Sequence, residues 1–153
     1  MKRRILCILV VLLLLALPGC AGTLKDYKAA SQDEEAIKSL LLYWQNSGNR
    51  GDVAGVLSVL TDDFEIYHNW PSNKSQVENK KEYGESLPER MKKNPTVIVG
   101  LPEIAITGDK ALVRAPLDTT RGKLKATFFL ERQNEKWLVM RFEYYVIRSD
   151  QRR

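Results

Sequence analysis

The hydrophobic period changes at Pro95, and that change limits the folds open to this chain. Before it, apolar residues recur at helical spacing. Ile37, Leu40, Leu41 and Trp44 fall three, four and seven apart, and Val53, Val56, Leu57 and Leu60 make a second stripe. After Pro95 the period is two, the spacing of half-buried strands. Helices followed by strands predict an α+β domain, with the helices packed on one face of a curved antiparallel sheet.

Local signals set the expected elements. Ser31 or Asp33 caps a first helix that runs to about Gly48, with Asp33, Glu34 and Glu35 in its first turn, where the helix dipole favours negative charge. Asn46 to Gly51 ends it, and Asp52 caps a short second helix closed by Thr61, Asp62 and Asp63. Phe64 to Trp70 reads as a strand with Phe64, Ile66, His68 and Trp70 on one side and Glu65, Tyr67 and Asn69 on the other. Pro71 to Ser75 reads as a loop. Ser75 to Lys93 reads as a third helix, striped by Tyr83, Leu87 and Met91 and interrupted near Gly84 or Pro88.

The strands that follow are Thr96 to Thr107, bent at Pro102, then Lys110 to Leu117, with Asp118 to Gly122 a loop. A hairpin of Lys123 to Arg132 and Lys136 to Arg148 turns across Gln133, Asn134 and Glu135. Strict alternation along the last strand sets Leu138, Met140, Phe142, Tyr144 and Val146 toward the helices. Trp137, Val139, Arg141, Glu143, Tyr145 and Ile147 then face outward, with too much apolar area for a wholly wetted face. A contact surface is expected there.

The first twenty residues stand outside this pattern. Lys2, Arg3 and Arg4 precede an unbroken apolar run from Ile5 to Ala16, then Leu17, Pro18, Gly19 and Cys20. A basic start, an apolar middle and small residues at the end make an export signal, and the run is shorter than the roughly 20 residues a spanning helix needs. Leu17-Pro18-Gly19-Cys20 resembles the bacterial lipobox, from which Pro18 departs at one position. The resemblance implies cleavage before Cys20, a diacylglycerol on its sulfur, and anchoring in the cell envelope. Ala21 in place of an aspartate implies outer-membrane delivery if the host has one. The expected organisation is a signal peptide over 1–19, a lipidated tether over 20–32, a domain over 33–148 and a polar tail over 149–153.

The remaining counts agree. Of two cysteines, Cys7 lies in the removed segment and Cys20 is the lipid site, so the mature domain is expected to have no disulfide and no thiolate metal site. The whole chain carries 24 Lys+Arg against 19 Asp+Glu, but loss of Lys2, Arg3 and Arg4 leaves 21 against 19. That balance gives no reason to expect nucleic-acid binding.

The stretch EEAIKSLLLYWQNSGNRGDVAGVLSVLTDDFEIYHN is similar to the opening of the nuclear transport factor 2-like superfamily, which also holds ketosteroid isomerase, scytalone dehydratase and the SnoaL-like polyketide cyclases. The shared pieces are Trp44 near a helix end, Gly51-Asp52, a short helix from Val53 to Leu60, and Asp62-Asp63-Phe64. FFLERQNEKWLVMRFEYYVI resembles the superfamily's last hairpin. The resemblance covers Asp33 to Ile147 and implies a cone-shaped fold with an apolar pocket between sheet and helices, and dimers through the outer sheet face. It transfers no catalytic residue.

His68 is the only histidine and shares a strand side with Ile66, so it is the candidate general base, although spacing assigns it no partner. Trp44, Ile66, His68, Phe142 and Tyr144 are the candidate pocket residues. Tyr43, Tyr67, Tyr144 and Tyr145 are possible hydrogen-bond donors to a ligand, Asp118 and Glu143 possible acids, and Arg114 an anion contact or a solvated edge residue. A lone histidine speaks against a multi-histidine metal site, and no cofactor is expected. Two functions follow. The first is a lipid-anchored protein whose pocket binds a small apolar molecule or a protein partner without catalysis. The alternative is an isomerase, dehydratase or cyclase that uses His68 with a tyrosine or carboxylate. A carboxylate within hydrogen-bond reach of His68 inside a pocket favours the second.

Overall fold

The computed structural model describes residues 22–69, 76–93, 95–98, 100–120 and 122–147. The expected signal peptide, Cys20, Trp70, the expected loop over 71–75 and the expected polar tail lie outside them.

Helix α1 (Gln32–Arg50) begins at Ser31, whose hydroxyl accepts from the Glu34 amide at 3.1 Å. Asp33 has a different task. Its carboxylate takes the Trp137 indole N–H at 3.2 Å and the Arg132 guanidinium at 2.5 Å, tying the start of α1 to the last hairpin. Gly51 ends the helix at φ 75°, a left-handed conformation that suits glycine and returns its amide to the Gly48 carbonyl. Asp52 caps α2 (Val53–Ser58) through the Gly55 amide at 2.8 Å.

Among the described residues seven strands form one sheet. They are β1 (Leu60–Asn69), β2 (Gln76–Asn79), β3 (Thr96–Ile98), β4 (Glu103–Thr107), β5 (Lys110–Thr119), β6 (Gly122–Gln133) and β7 (Lys136–Val146). The order is β2-β1-β7-β6-β5-β3, with β4 also pairing β5. Helix α3 (Lys80–Lys93) lies between β2 and β3. The core sits between the concave face and the helices, with Ile37 and Leu41 of α1 packed in one buried cluster with Val113, Phe128 and Val139.

Several boundaries differ from the sequence expectation. Thr61, Asp62 and Asp63 do not close α2. They belong to β1, because Leu60 pairs with Val139 and the Val139 amide donates to the Val59 carbonyl. The pairing of β1 with β7 is parallel, so the sheet is mixed; a long intervening chain frees the two strands from hairpin geometry. Residues 76–79 are strand, not helix, and α3 runs unbroken through Pro88. Burial of Tyr83 and Leu87 before the proline, with half-buried Met91 packed on the core after it, holds the helix in place on both sides of Pro88. Residues 96–107 split into β3 and β4 around Gly100 at φ 86°, and both pieces pair with β5. Asp118 and Thr119 extend β5 rather than forming a loop.

The largest change lies in β7. Phe129 pairs with Arg141 while the next residue, Leu130, pairs with Val139, so Met140 is an extra residue in the ladder. Because side chains alternate, one inserted residue exchanges the faces on its N-terminal side. Trp137 and Val139 therefore enter the core with Phe142, while Leu138 and Met140 are only half-buried. The expected continuous side from Leu138 to Val146 does not exist.

The tether also differs. Leu24 begins a 3₁₀ turn (Leu24–Asp26) and is 1% exposed, packed into the core. The chain is folded from Gly22 onward, ahead of the expected boundary at 33.

Candidate functional site

Register brings the site together. On β1, His68 stands opposite Tyr144 of β7 and Gln76 of β2, while Ile66 stands opposite Phe142 and Glu78. Residues two apart share a face, so Ile66, His68, Glu78, Phe142 and Tyr144 all turn to the concave side. Above them, the C-terminal half of α1 supplies Trp44 and Asn49, and α3 supplies Tyr83, Leu87, Arg90 and Met91. Between these layers is a cavity of about 370 Å³, large enough for a small organic molecule. Trp44, Ile66, His68, Phe142 and Tyr144, the five residues selected from sequence, all line it.

One wall is aromatic. Trp44 meets Phe128 edge-on at 5.4 Å and Phe142 at 5.7 Å between ring centroids, and Phe128 stacks on Phe142 at 4.7 Å. Such geometry aligns positive ring edges with negative faces and holds the wall rigid. Burial pushes the Tyr83 phenol up to about 12, so it stays protonated at any physiological pH.

The polar end is a chain of four groups. The Tyr144 hydroxyl lies 2.6 Å from His68 Nδ1. His68 Nε2 lies 3.0 Å from Glu78 Oε1, but off the axis of the ring N–H, so the contact is an ion-pair approach rather than an aligned hydrogen bond. Arg90 Nη2 reaches the same Glu78 oxygen at 2.6 Å, and Ser86 Oγ approaches the other at 3.4 Å. A carboxylate beside Nε2 favours the proton there. Nδ1 is then the acceptor and Tyr144 the donor. His68 is 2% exposed. Burial, and then the Arg90 charge, hold its imidazole below its ordinary value of 6.5, with Glu78 opposing in part.

The sign of the resulting pH dependence is fixed. The unfolded chain binds a proton at His68 near pH 6.5 and the folded chain binds it lower. Stability is therefore full above 6.5 and declines as pH falls from 6.5 toward the folded value. With one histidine in the chain, a proton NMR titration reads His68 directly. The expected midpoint lies below 6.5, and a midpoint above it means that Glu78, not burial, governs the ring.

The other candidates lie elsewhere. Tyr43 is 45% and Tyr145 50% exposed, and Tyr67 donates to Glu65 on the outer face. Glu143 pairs with Arg141 at 3.0 Å. Arg114 and Asp118 are exposed on the outer side of β5, with Arg114 at 4.0 Å from Glu103, so neither reaches the cavity. Trp137 and Val139, expected outside, are core. Among the described residues no three His, Cys, Asp or Glu side chains gather closely enough to hold a metal ion. Sequence reasoning missed Glu78 and Arg90. The spacing of Arg90 from Tyr83 and Leu87 (seven and three) could have found it. Nothing local could have found Glu78, because Val77 alone gives β2 no apolar alternation.

No family model matches the chain, and no curated protein matches it significantly. Solved structures do resemble it. An NTF2-like protein of unknown function from Shewanella baltica is 20% identical with a TM-score of 0.63, covering 80% of this chain and 100% of that one. Another from Silicibacter pomeroyi is 10% identical at TM-score 0.65, covering 78% and 100%. An NTF2-like protein from Cytophaga hutchinsonii is 14% identical at 0.64, covering 76% and 100%. The domain thus has the nuclear transport factor 2-like fold, an α+β arrangement of helices over a curved sheet.

Proposed function

We propose that this protein is a lipid-anchored cell-envelope protein whose pocket holds a small, mainly apolar molecule with one hydrogen-bonding end. The supporting observation is the cavity of about 370 Å³, with Trp44, Phe142 and Leu87 as apolar walls and the Tyr144–His68–Glu78 chain on one side. The lipid anchor rests on the Cys20 sequence motif. A homodimer through the outer sheet face, around Phe129, Arg141 and Tyr145, belongs to the same proposal.

Native mass spectrometry of the protein purified from its own organism tests the pocket. A co-purifying small molecule is expected. Tyr144→Phe should weaken its binding two- to tenfold, the factor given by a lost hydrogen bond of about 0.5–1.5 kcal/mol. An empty protein, or full affinity in Tyr144→Phe, removes the assignment of that polar end.

A second reading is catalytic. Glu78 beside His68 is the carboxylate partner that spacing alone left unassigned, and base work needs such a partner. Against it, Arg90 pairs with the same carboxylate oxygen and lowers the basicity of the ring. The two readings divide on the recovered ligand. Incubation in heavy water puts deuterium on carbon if His68 abstracts a proton there, and leaves carbon unlabelled if the pocket only binds.

A further inference from the structure

The residues from Gly22 onward are part of the folded domain. Leu24 is 1% exposed. The Thr23 amide and hydroxyl both donate to Asp26 Oδ2, at 2.7 and 2.8 Å. The Tyr27 hydroxyl donates to Glu34 Oε2 at 2.8 Å, the Ala30 amide donates to the same oxygen at 2.7 Å, and Lys38 Nζ donates to the Tyr27 carbonyl at 2.8 Å. Two carboxylates, a lysine and a buried leucine thus pin this segment along α1.

Gly22 lies directly against Leu101. A Cβ at Gly22 would stand 2.9 Å from Leu101 Cδ2, so only a hydrogen fits between them. Leu101, at 55%, is the most exposed large apolar residue among the described ones. Cys20 stands two residues before Gly22, so even an extended chain separates their Cα atoms by only about 7 Å. A flexible tether from Cys20 to Gln32 would instead let the domain range over about 20 Å.

From this we propose that the corner formed by Gly22, the Leu24 turn and Leu101 is a membrane-contact surface, seated flush on the leaflet that carries the anchor, with Leu101 entering the interface. The inference rests on the lipid-anchoring reading of Cys20. The occupant is the bilayer because the chain beyond Gly22 is too short to place the acyl chains anywhere else. The exposed Lys25 and Lys28 of the same segment suit anionic headgroups. The consequence is a fixed orientation. Leu101 lies between β3 and β4 at one edge of the sheet, and β2 lies at the other, five strand spacings or about 24 Å away.

The full chain, expressed in bacteria and reconstituted in vesicles, tests this with one engineered cysteine at a time. Leu101→Cys and Val77→Cys, the second on β2 and 47% exposed, are labelled with an environment-sensitive fluorophore and quenched by brominated lipid. The label at 101 should be quenched about threefold more strongly than the label at 77, since an interfacial group sits within about 10 Å of the acyl boundary. A flexible insert of about 20 Gly/Ser residues between Ala21 and Gly22 should bring the two labels to the same level, with the protein still on the vesicles. Equal quenching without the insert overturns the flush docking and leaves the anchor standing. A protein that does not sediment with vesicles at all overturns the lipid anchor, and this inference with it.

Discussion

With residues 1–19 replaced by an ordinary cleavable leader, Cys20→Ala is expected to move the protein almost completely from membranes to the soluble fraction of the envelope. The physical reason is the number of methylenes involved. Each buried CH₂ contributes about 0.8 kcal/mol, so a single acyl chain binds reversibly and two bind for practical purposes permanently. No helix among the described residues is long and apolar enough to take over that role. The leader exchange matters because an uncleaved Ile5–Ala16 segment could itself hold the precursor in the membrane. Thermal unfolding of the released protein should match that of the lipidated form, since the core begins at Leu24. Cofractionation of the alanine variant with membranes, at the level of the native chain, counts against the lipid anchor.

Phe128→Ala should cost about 3–5 kcal/mol, a large part of the 5–15 kcal/mol that holds a domain together. Phe128 is 1% exposed and lies under both Trp44 and Phe142. Its removal deletes buried apolar area and leaves a void that the rigid sheet cannot close. Both neighbouring rings line the cavity, so ligand affinity should fall together with stability. Phe128→Leu keeps part of the volume and should cost less. Urea unfolding measures the difference as a shift in midpoint at constant slope. A loss below about 0.5 kcal/mol, the usual scale of a surface change, would refute a central packing role for this ring.

Much of the local structure was legible because its causes are local. Ser31 and Asp52 cap helices through amides three residues on. Phe64, Ile66 and His68 share a side of β1 because strand side chains alternate, and all three are buried. The five pocket residues chosen from sequence follow from the same two periods. The outer faces were less legible. Tyr43, Tyr67 and Tyr145 look like Tyr144 in sequence, and only burial tells them apart.

The errors share one origin, the pairing of distant segments. Gln76–Asn79 is a strand because β1 offers it a free edge, and that pairing delivers Glu78 to His68. Met140 is a bulge because β6 and β7 pair out of step there, and this sends Trp137 and Val139 inward. Leu24 counts as core because α1 lies beside it, although its neighbours in sequence are polar.

The sequence by itself determined the helical and extended periods, the caps, the side of β1 that carries His68, and the cysteine motif at position 20. Those depend on residues within a few places of each other, where spacing is geometry. Tertiary structure alone decided which carboxylate meets the histidine, which face of β7 is buried, and that the chain is folded up to Gly22. Each of these turns on the register between segments far apart in the chain. Register is set by the packing of the whole sheet, and a shift of one residue reverses which side chains are inside.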